Sequence, residues 1–242
     1  IGVGFLMADA VDTVATKFPS VSFAIVDFSQ AALKHKPKNV LGILFKEQES
    51  GYLAGYLAGL VVKHQGGKQI VSTVGGQKIP PVDRHIAGFQ AGAKAADPGI
   101  KTLNSYSQDF VDPAKCKEIA LNQIGAGSQV VMQVAGGCGL GALDAAKEKH
   151  VWGIGADADQ SFLGPHILTS ALKKDDVAVF KTIQSVQDGT FTGGRDVVFD
   201  VKSGAAGLGK ISAKVPQDIV AKVMAKQKEI AAGKLSIPTE VK

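Results

Sequence analysis

Acids, aromatic rings and glycines fall where short apolar runs end in this sequence. The runs close on Gly4-Phe5, Asp27-Phe28, Lys46 to Glu49, Gly75-Gly76, Gln108-Asp109-Phe110, Ala135-Gly136-Gly137 and Asp157-Ala158-Asp159. Carboxylates accept hydrogen bonds from hydroxyl groups, and aromatic faces stack on flat rings. Such a set suits a neutral, polyhydroxylated ligand that carries a flat ring.

Other chemistries fit less well. Gly136-Gly137-Cys138-Gly139-Leu140-Gly141 follows an apolar run and opens a helical pattern, as a dinucleotide loop does. Its spacing is not the G-x-G-x-x-G that a pyrophosphate needs, although Asp157 stands at the end of the next strand. The preferred reading is backbone amides facing a neutral ligand. Asp157 and Asp159 have no further acidic ligands beside them, so no metal is expected. One is read as a ligand contact and the other as a capping or hinge aspartate. Ser170 and Lys173 match S-x-x-K by count, without the companion motifs of acyl-serine enzymes. Ser170 is expected to cap a helix and Lys173 to reach into a cleft. The five histidines show no catalytic pairing and are expected at the surface or in loops. His85 draws attention because it follows the Ile79-Pro80-Pro81 loop. Trp152 reads as core. No cofactor is expected.

Bulk properties agree. The chain has 242 residues, 45% hydrophobic and 20% charged, with a net charge of +5 from 27 basic and 22 acidic residues. That length allows one large domain or two lobes of about 100 to 130 residues. The lysines are scattered and lack interleaved aromatics, so no nucleic-acid partner is expected. No apolar run approaches the ~18 residues that would span a bilayer. No signal-peptide pattern is read within these residues, which leaves the compartment open. Cys116 and Cys138 are read as two small buried thiols, with a disulfide open to them in an oxidising compartment.

The elements that position these residues alternate. Strands are expected over 1–5, 21–27, 40–45, 69–74, 102–106, 129–134 and 151–155. Helices are expected over 8–17, 49–64, 82–96, 113–124, 140–149, 175–187 and 217–232. Most strands are continuous apolar runs, as in a parallel sheet covered on both faces. Repeated strand–helix–strand units predict a doubly wound α/β architecture. Asp112-Pro113 reads as a cap and first helical residue. Gly66-Gly67 reads as a helix end and a lobe boundary, and 160–165 as a second boundary. The glycine-rich 203–210 reads as an exposed turn. A strand opening at Ile1 is expected to have a segment before it.

Six stretches, in order, resemble one known family. They are Glu49 to Gly55 (ESGYLAG), Val74-Gly75-Gly76 with Ile79-Pro80 and Gly88 to Gly92, and Phe110-Val111-Asp112. The others are Val134 to Gly141, Gly155 to Gln160 (GADADQ) and Leu168 to Lys173 (LTSALK). The chain thereby resembles, from Ile1 to about Lys202, the basic membrane protein family of ABC-transporter substrate-binding lipoproteins, of the purine nucleoside-binding type.

The resemblance implies an α/β, two-lobed periplasmic-binding-protein fold of type I. Each lobe would be a doubly wound parallel sheet with helices on both faces, the first strand–helix unit missing. Residues 1–67 would form the remainder of lobe 1 and 68–160 lobe 2. Residues 161–195 would cross and return, and 196–242 would complete the lobes with a strand and a helix. It implies capture of a purine nucleoside (adenosine, guanosine or inosine class) between the lobes, for delivery to an ABC-transporter permease. The intact protein would be extracytoplasmic, monomeric and tied to the membrane through a lipid anchor upstream of this chain. Position by position, it implies that Asp27, Asp157 and Lys173 hold the ribose, that Phe110 stacks on the base, and that Gly136 offers its backbone. Further pocket residues are expected ahead of Ile1, so nucleoside binding by these residues alone is expected to be weak. Cys138 stands where the family commonly has a small hydroxyl residue, and Ala156 where it has valine. The alternatives are a ligand-sensing domain of the same fold or a nucleoside-processing enzyme.

Overall fold

The computed structural model describes residues 1–241, and its contacts divide the chain into two units. The chain passes between them after Lys46, Lys173 and Ala205. The first unit holds β1 (Gly2–Val3), α1 (Ala8–Lys17), β2 (Phe23–Val26) and β3 (Val40–Phe45). Later it gains α6 (Asp175–Gln187) and β9 (Arg195–Phe199). Its sheet runs β1-β2-β3-β9, all parallel. Successive strand residues point to opposite faces, and both faces are covered. Ala24 and Val26 pack with Ala178 of α6, while Ile25 packs with Val11 and Ala15 of α1. That is why the strands read as unbroken apolar runs.

The second unit holds α2 (Glu47–Gln65), β4 (Ile70–Gly75), α3 (Pro80–Ala96), β5 (Lys101–Tyr106) and α4 (Pro113–Gly125). It continues with β6 (Val130–Val134), α5 (Gly139–Glu148), β7 (Trp152–Asp157) and β8 (Ile167–Lys173), then β10 (Ala206–Leu208) and α7 (Gln217–Ala231). The sheet order is β10-β8-β7-β6-β4-β5, with β4 to β8 parallel and β10 antiparallel to β8.

The repeated glycines of α2 have a packing cause. A Cβ on Gly51 would meet the His85 carbonyl, and one on Gly55 the Phe89 carbonyl. Reciprocally, a Cβ on Gly88 would meet the Gln48 carbonyl, and one on Gly92 the Tyr52 carbonyl. Glycine at every fourth position therefore lets α2 and α3 touch backbone to backbone. His85 consequently lies buried on α3 at 2% exposure, not in a loop.

This packing moves the expected domain boundaries. The first crossing falls before α2, not after Gly67, because α2 is held by α3 and α7. Gly66 and Gly67 still end α2 with left-handed backbone, φ 76° and 87°. The crossing expected after 160 falls after Lys173, because β8 pairs with β7. Of the final stretch, β9 lies in the first unit, and β10 and α7 lie in the second. Within the expected turn at 203–210, Ala206 to Leu208 form a strand and Ala205 is fully buried.

Candidate functional site

In the second unit, β4 feeds β5 on one side and β6 lies on the other. The winding reverses at β4 and β6, and open α/β sheets bind ligands outside the carboxyl ends of such strands. Gly75-Gly76 ends β4 there, and Ala135 to Cys138 follow β6.

Phe110 lies beside both turns. Its half-buried ring occupies the space that a Cβ on Gly76 would need. A Cβ on Gly136, itself at φ 55°, would stand 3.2 Å from the Phe110 carbonyl oxygen. That oxygen accepts a hydrogen bond from the Cys138 amide at 3.1 Å. Phe110 and Gly136, named separately in the sequence reading, are thus brought into contact.

The loop that carries Phe110 is fastened on each side. Asp109 accepts from the Val111 and Asp112 amides at 2.7 and 3.1 Å and from Lys115 Nζ at 2.6 Å. The Lys115 ammonium, with those amides, holds the Asp109 carboxyl well below the usual carboxylate range. Asp112 caps α4 by accepting from the Ala114 amide at 2.9 Å, the predicted cap. A disulfide joins Cys116 in α4 to Cys138 at the start of α5. This decides between the thiol and disulfide readings.

Tyr106, which the sequence reading passed over, ends β5 with its ring against Gly75, whose Cβ would stand 2.8 Å from the ring. Its hydroxyl donates to Asp83 at 2.5 Å. Burial first, and then that hydrogen bond, push the phenol up to about 12.

Asp157 closes β7 in left-handed backbone, φ 66°, with its carboxylate exposed. Aspartate is among the few side chains that tolerate this conformation. The support beneath it is a buried polar network. Gln160 Oε1 accepts from the Ala156 amide at 3.2 Å and from Gln133 Nε2 at 2.8 Å. Gln133 Oε1 accepts from the Ala135 amide at 2.9 Å, and the Gln160 amide donates to Ser170 Oγ at 3.0 Å. Ser170 is therefore a buried strand residue that fastens a loop, not a helix cap. Asp159 is the structural aspartate of the pair, accepting from the Ser161 and Lys210 amides at 3.0 and 3.2 Å.

Lys173 is the last residue of β8, buried at 8% exposure. Asp157 pairs in register with Leu172, so Asp157 and Lys173 end adjacent parallel strands. Asp27 lies in the first unit, where it follows β2 with φ 64° and donates its amide to the Ile43 carbonyl at 2.9 Å. The next turn is held by Asp196 of β9, which accepts from Ser29 Oγ at 2.6 Å and the Gln30 amide at 2.7 Å. Gln133, Gln160 and Cys116 were missed as site-supporting residues. The signal for Gln133 was a lone amide inside the apolar run VVMQV, because a buried polar side chain needs partners.

Among the described residues, no group of three or more His, Cys, Asp or Glu could hold a metal ion. No described helix is long and apolar enough to cross a membrane.

Two sheets of parallel strands with helices on their faces, the second with one antiparallel edge strand, give the fold of a periplasmic-type solute-binding protein. A solute-binding protein of an ABC transporter system from Aeropyrum pernix K1 matches with a TM-score of 0.85 at 26% identity, over 99% of this chain and 77% of that one. One from Conexibacter woesei DSM 14684 matches with a TM-score of 0.76 at 30% identity, over 98% and 78%. Residues 1–240 match the Bmp family, described as ABC transporter substrate-binding protein PnrA-like, and the chain belongs to that family. It is 33% identical to the ABC transporter nucleoside-binding protein BmpA of Lactococcus lactis subsp. cremoris (strain MG1363), over 99% of this chain and 70% of the relative. It is 32% identical to the CD4+ T-cell-stimulating antigen of Listeria monocytogenes serovar 1/2a, over 98% and 69%. The family's members bind substrate for ABC transporters, so the chain is an extracytoplasmic binding protein and not an enzyme. Its partners are a small-molecule ligand and a permease.

Proposed function

We propose that the chain captures purine nucleosides, of the adenosine, guanosine or inosine class, and delivers them to its ABC-transporter permease. The observation that carries this reading is the Phe110 ring, half-buried against the Gly76 backbone at the switch point of the second unit's sheet. A flat ring on a rigid glycine floor suits a flat base, and base–aromatic stacking contributes about 1–3 kcal/mol. Asp157 presents a carboxylate on the same sheet edge, and Asp27 closes a strand in the same left-handed backbone. A ribose hydroxyl bonded to a carboxylate adds about 1.5–3 kcal/mol. Gly136 supplies backbone polar groups and Lys173 a cation that assists in holding the sugar. The nucleoside-binding name of the Lactococcus lactis relative favours the same ligand class. The protein works as a monomer, held at the membrane by a lipid anchor.

Calorimetric titration tests this reading. Adenosine, guanosine, inosine and uridine are the ligands, with ribose and NAD as controls. Purine nucleosides are expected to bind, and Phe110→Ala and Asp157→Ala are expected to weaken binding. Silence from every nucleoside in the intact protein would withdraw the ligand class and the residue roles together.

A further inference from the structure

We propose that the Cys116–Cys138 disulfide is a positioning element of the ligand site, holding the Phe110 ring in its stacking geometry; this rests on the nucleoside reading above. The bridge joins the first turn of α4 to the residue just before α5. Both cysteines are fully buried. The Cys138 amide donates to the Phe110 carbonyl at 3.1 Å, so the residue that is covalently tethered also holds Phe110 by its backbone. The links form a closed circuit. Phe110 leads through the Asp112 cap into α4, α4 leads to Cys116, the bridge leads to Cys138, and Cys138 returns to Phe110.

The stretch being tethered needs an anchor. Gly136 and Gly137 carry no side chain that could pack. Glycine has the largest conformational freedom to lose on ordering. A Cβ on Gly141 would meet the Pro113 carbonyl, so the starts of α4 and α5 already touch. Between that contact and the end of β6, the disulfide is the covalent anchor of the loop. Fixing a binding surface before the ligand arrives raises affinity by removing the ordering cost from the binding step.

The test is a double-mutant cycle with hydrogen exchange beside it. Cys116→Ala/Cys138→Ala is made in the native protein and in Phe110→Leu. Cys116→Val/Cys138→Ala, which refills the sulfur volume, replaces it if the alanine pair does not fold. Affinity is read by calorimetry with adenosine, guanosine and inosine. Loss of the bridge is expected to weaken binding about ten-fold with Phe110 present and to change it little in the Phe110→Leu background, the non-additivity of residues that act together. Equal losses in both backgrounds, or no loss in either, would overturn the proposal and leave a bridge that serves stability alone. The Cys138 amide is expected to be protected from exchange in the native protein and to exchange faster without the bridge. Unchanged protection would also overturn it. That readout needs no ligand, so a protein that binds no nucleoside but loses Cys138 protection would refute the ligand class and not the tether.

Discussion

The ring of Phe110 stands where Gly76 would carry a Cβ, so the two residues occupy one volume between them. Gly76→Ala is expected to displace the ring and weaken nucleoside binding, with Phe110→Ala costing about 1–3 kcal/mol of affinity. Calorimetry on both variants checks this. If Gly76→Ala bound as tightly as the native protein, the glycine would not set the ring's position.

The floor beneath Asp157 depends on one amide oxygen. Gln160→Leu would leave the Ala156 amide and Gln133 Nε2 without their acceptor. An unsatisfied buried donor costs about 1–3 kcal/mol, so urea unfolding should show a loss of at least that size. Asp157-dependent binding should weaken as well, because the loop that carries the carboxylate loses its support.

Glycines within the helices divide by what they face. Gly55→Ala would drive a methyl into the Phe89 carbonyl, an overpacking change that costs about 1–3 kcal/mol or more. Gly125 at the end of α4 has nothing within 4 Å of an added methyl, so Gly125→Ala should be neutral or stabilise by up to about 1 kcal/mol. Thermal unfolding of the two variants should therefore move in different directions or by very different amounts.

Alkaline pH should reach the Tyr106–Asp83 pair late. The folded phenol titrates at about 12, above the ordinary value near ~10. A raised folded value favours the neutral phenol on folding. Its contribution is fully present below ~10 and is lost as pH rises through about 12. Tyr106→Phe should flatten the stability profile over that window. Absorbance titration should show the loss of a late-ionising phenol, and an unchanged titration would refute the assignment.

Acid should act on Asp109 in the opposite sense. Its folded value is depressed, so its contribution is present above ~3.9 and is lost as pH falls from there toward the folded value. Lys115→Met should move the Asp109 carboxyl up toward the ordinary range, followed by carboxyl carbon-13 shifts. The ion pair lies at the surface, with Lys115 exposed and Asp109 half-buried, so global stability near neutral pH should barely change.

Much of the architecture was legible without coordinates because local rules decide it. The helices expected over 8–17 and 175–187 and the strand over 40–45 match α1, α6 and β3 end to end. Apolar runs and helical periodicity report burial directly, and Asp112-Pro113 and Gly66-Gly67 report backbone needs at helix ends. Three strands were given no bounds from the residues, although the resemblance implied one strand within 196–242. β8 carries Thr169 and Ser170, which are buried only because Gly209 and Gln160 satisfy them. β9 lies at the edge of its sheet and is largely half-buried or exposed, and β10 is three residues long.

The chain alone determined that the strands alternate with helices and that Asp27, Phe110, Gly136 and Asp157 fall at strand ends or in the loops that follow, while Lys173 proved to end a strand only in the structure. It also carries the glycines at every fourth position of α2 and α3, whose role in docking only the structure shows. Only the tertiary structure decided which unit α2 joins, that Cys116 and Cys138 pair, and that Gln133, Gln160 and Ser170 meet beneath Asp157. Those contacts join residues far apart in the chain, and pairing across such distances depends on sheet order and helix docking, which no local periodicity encodes.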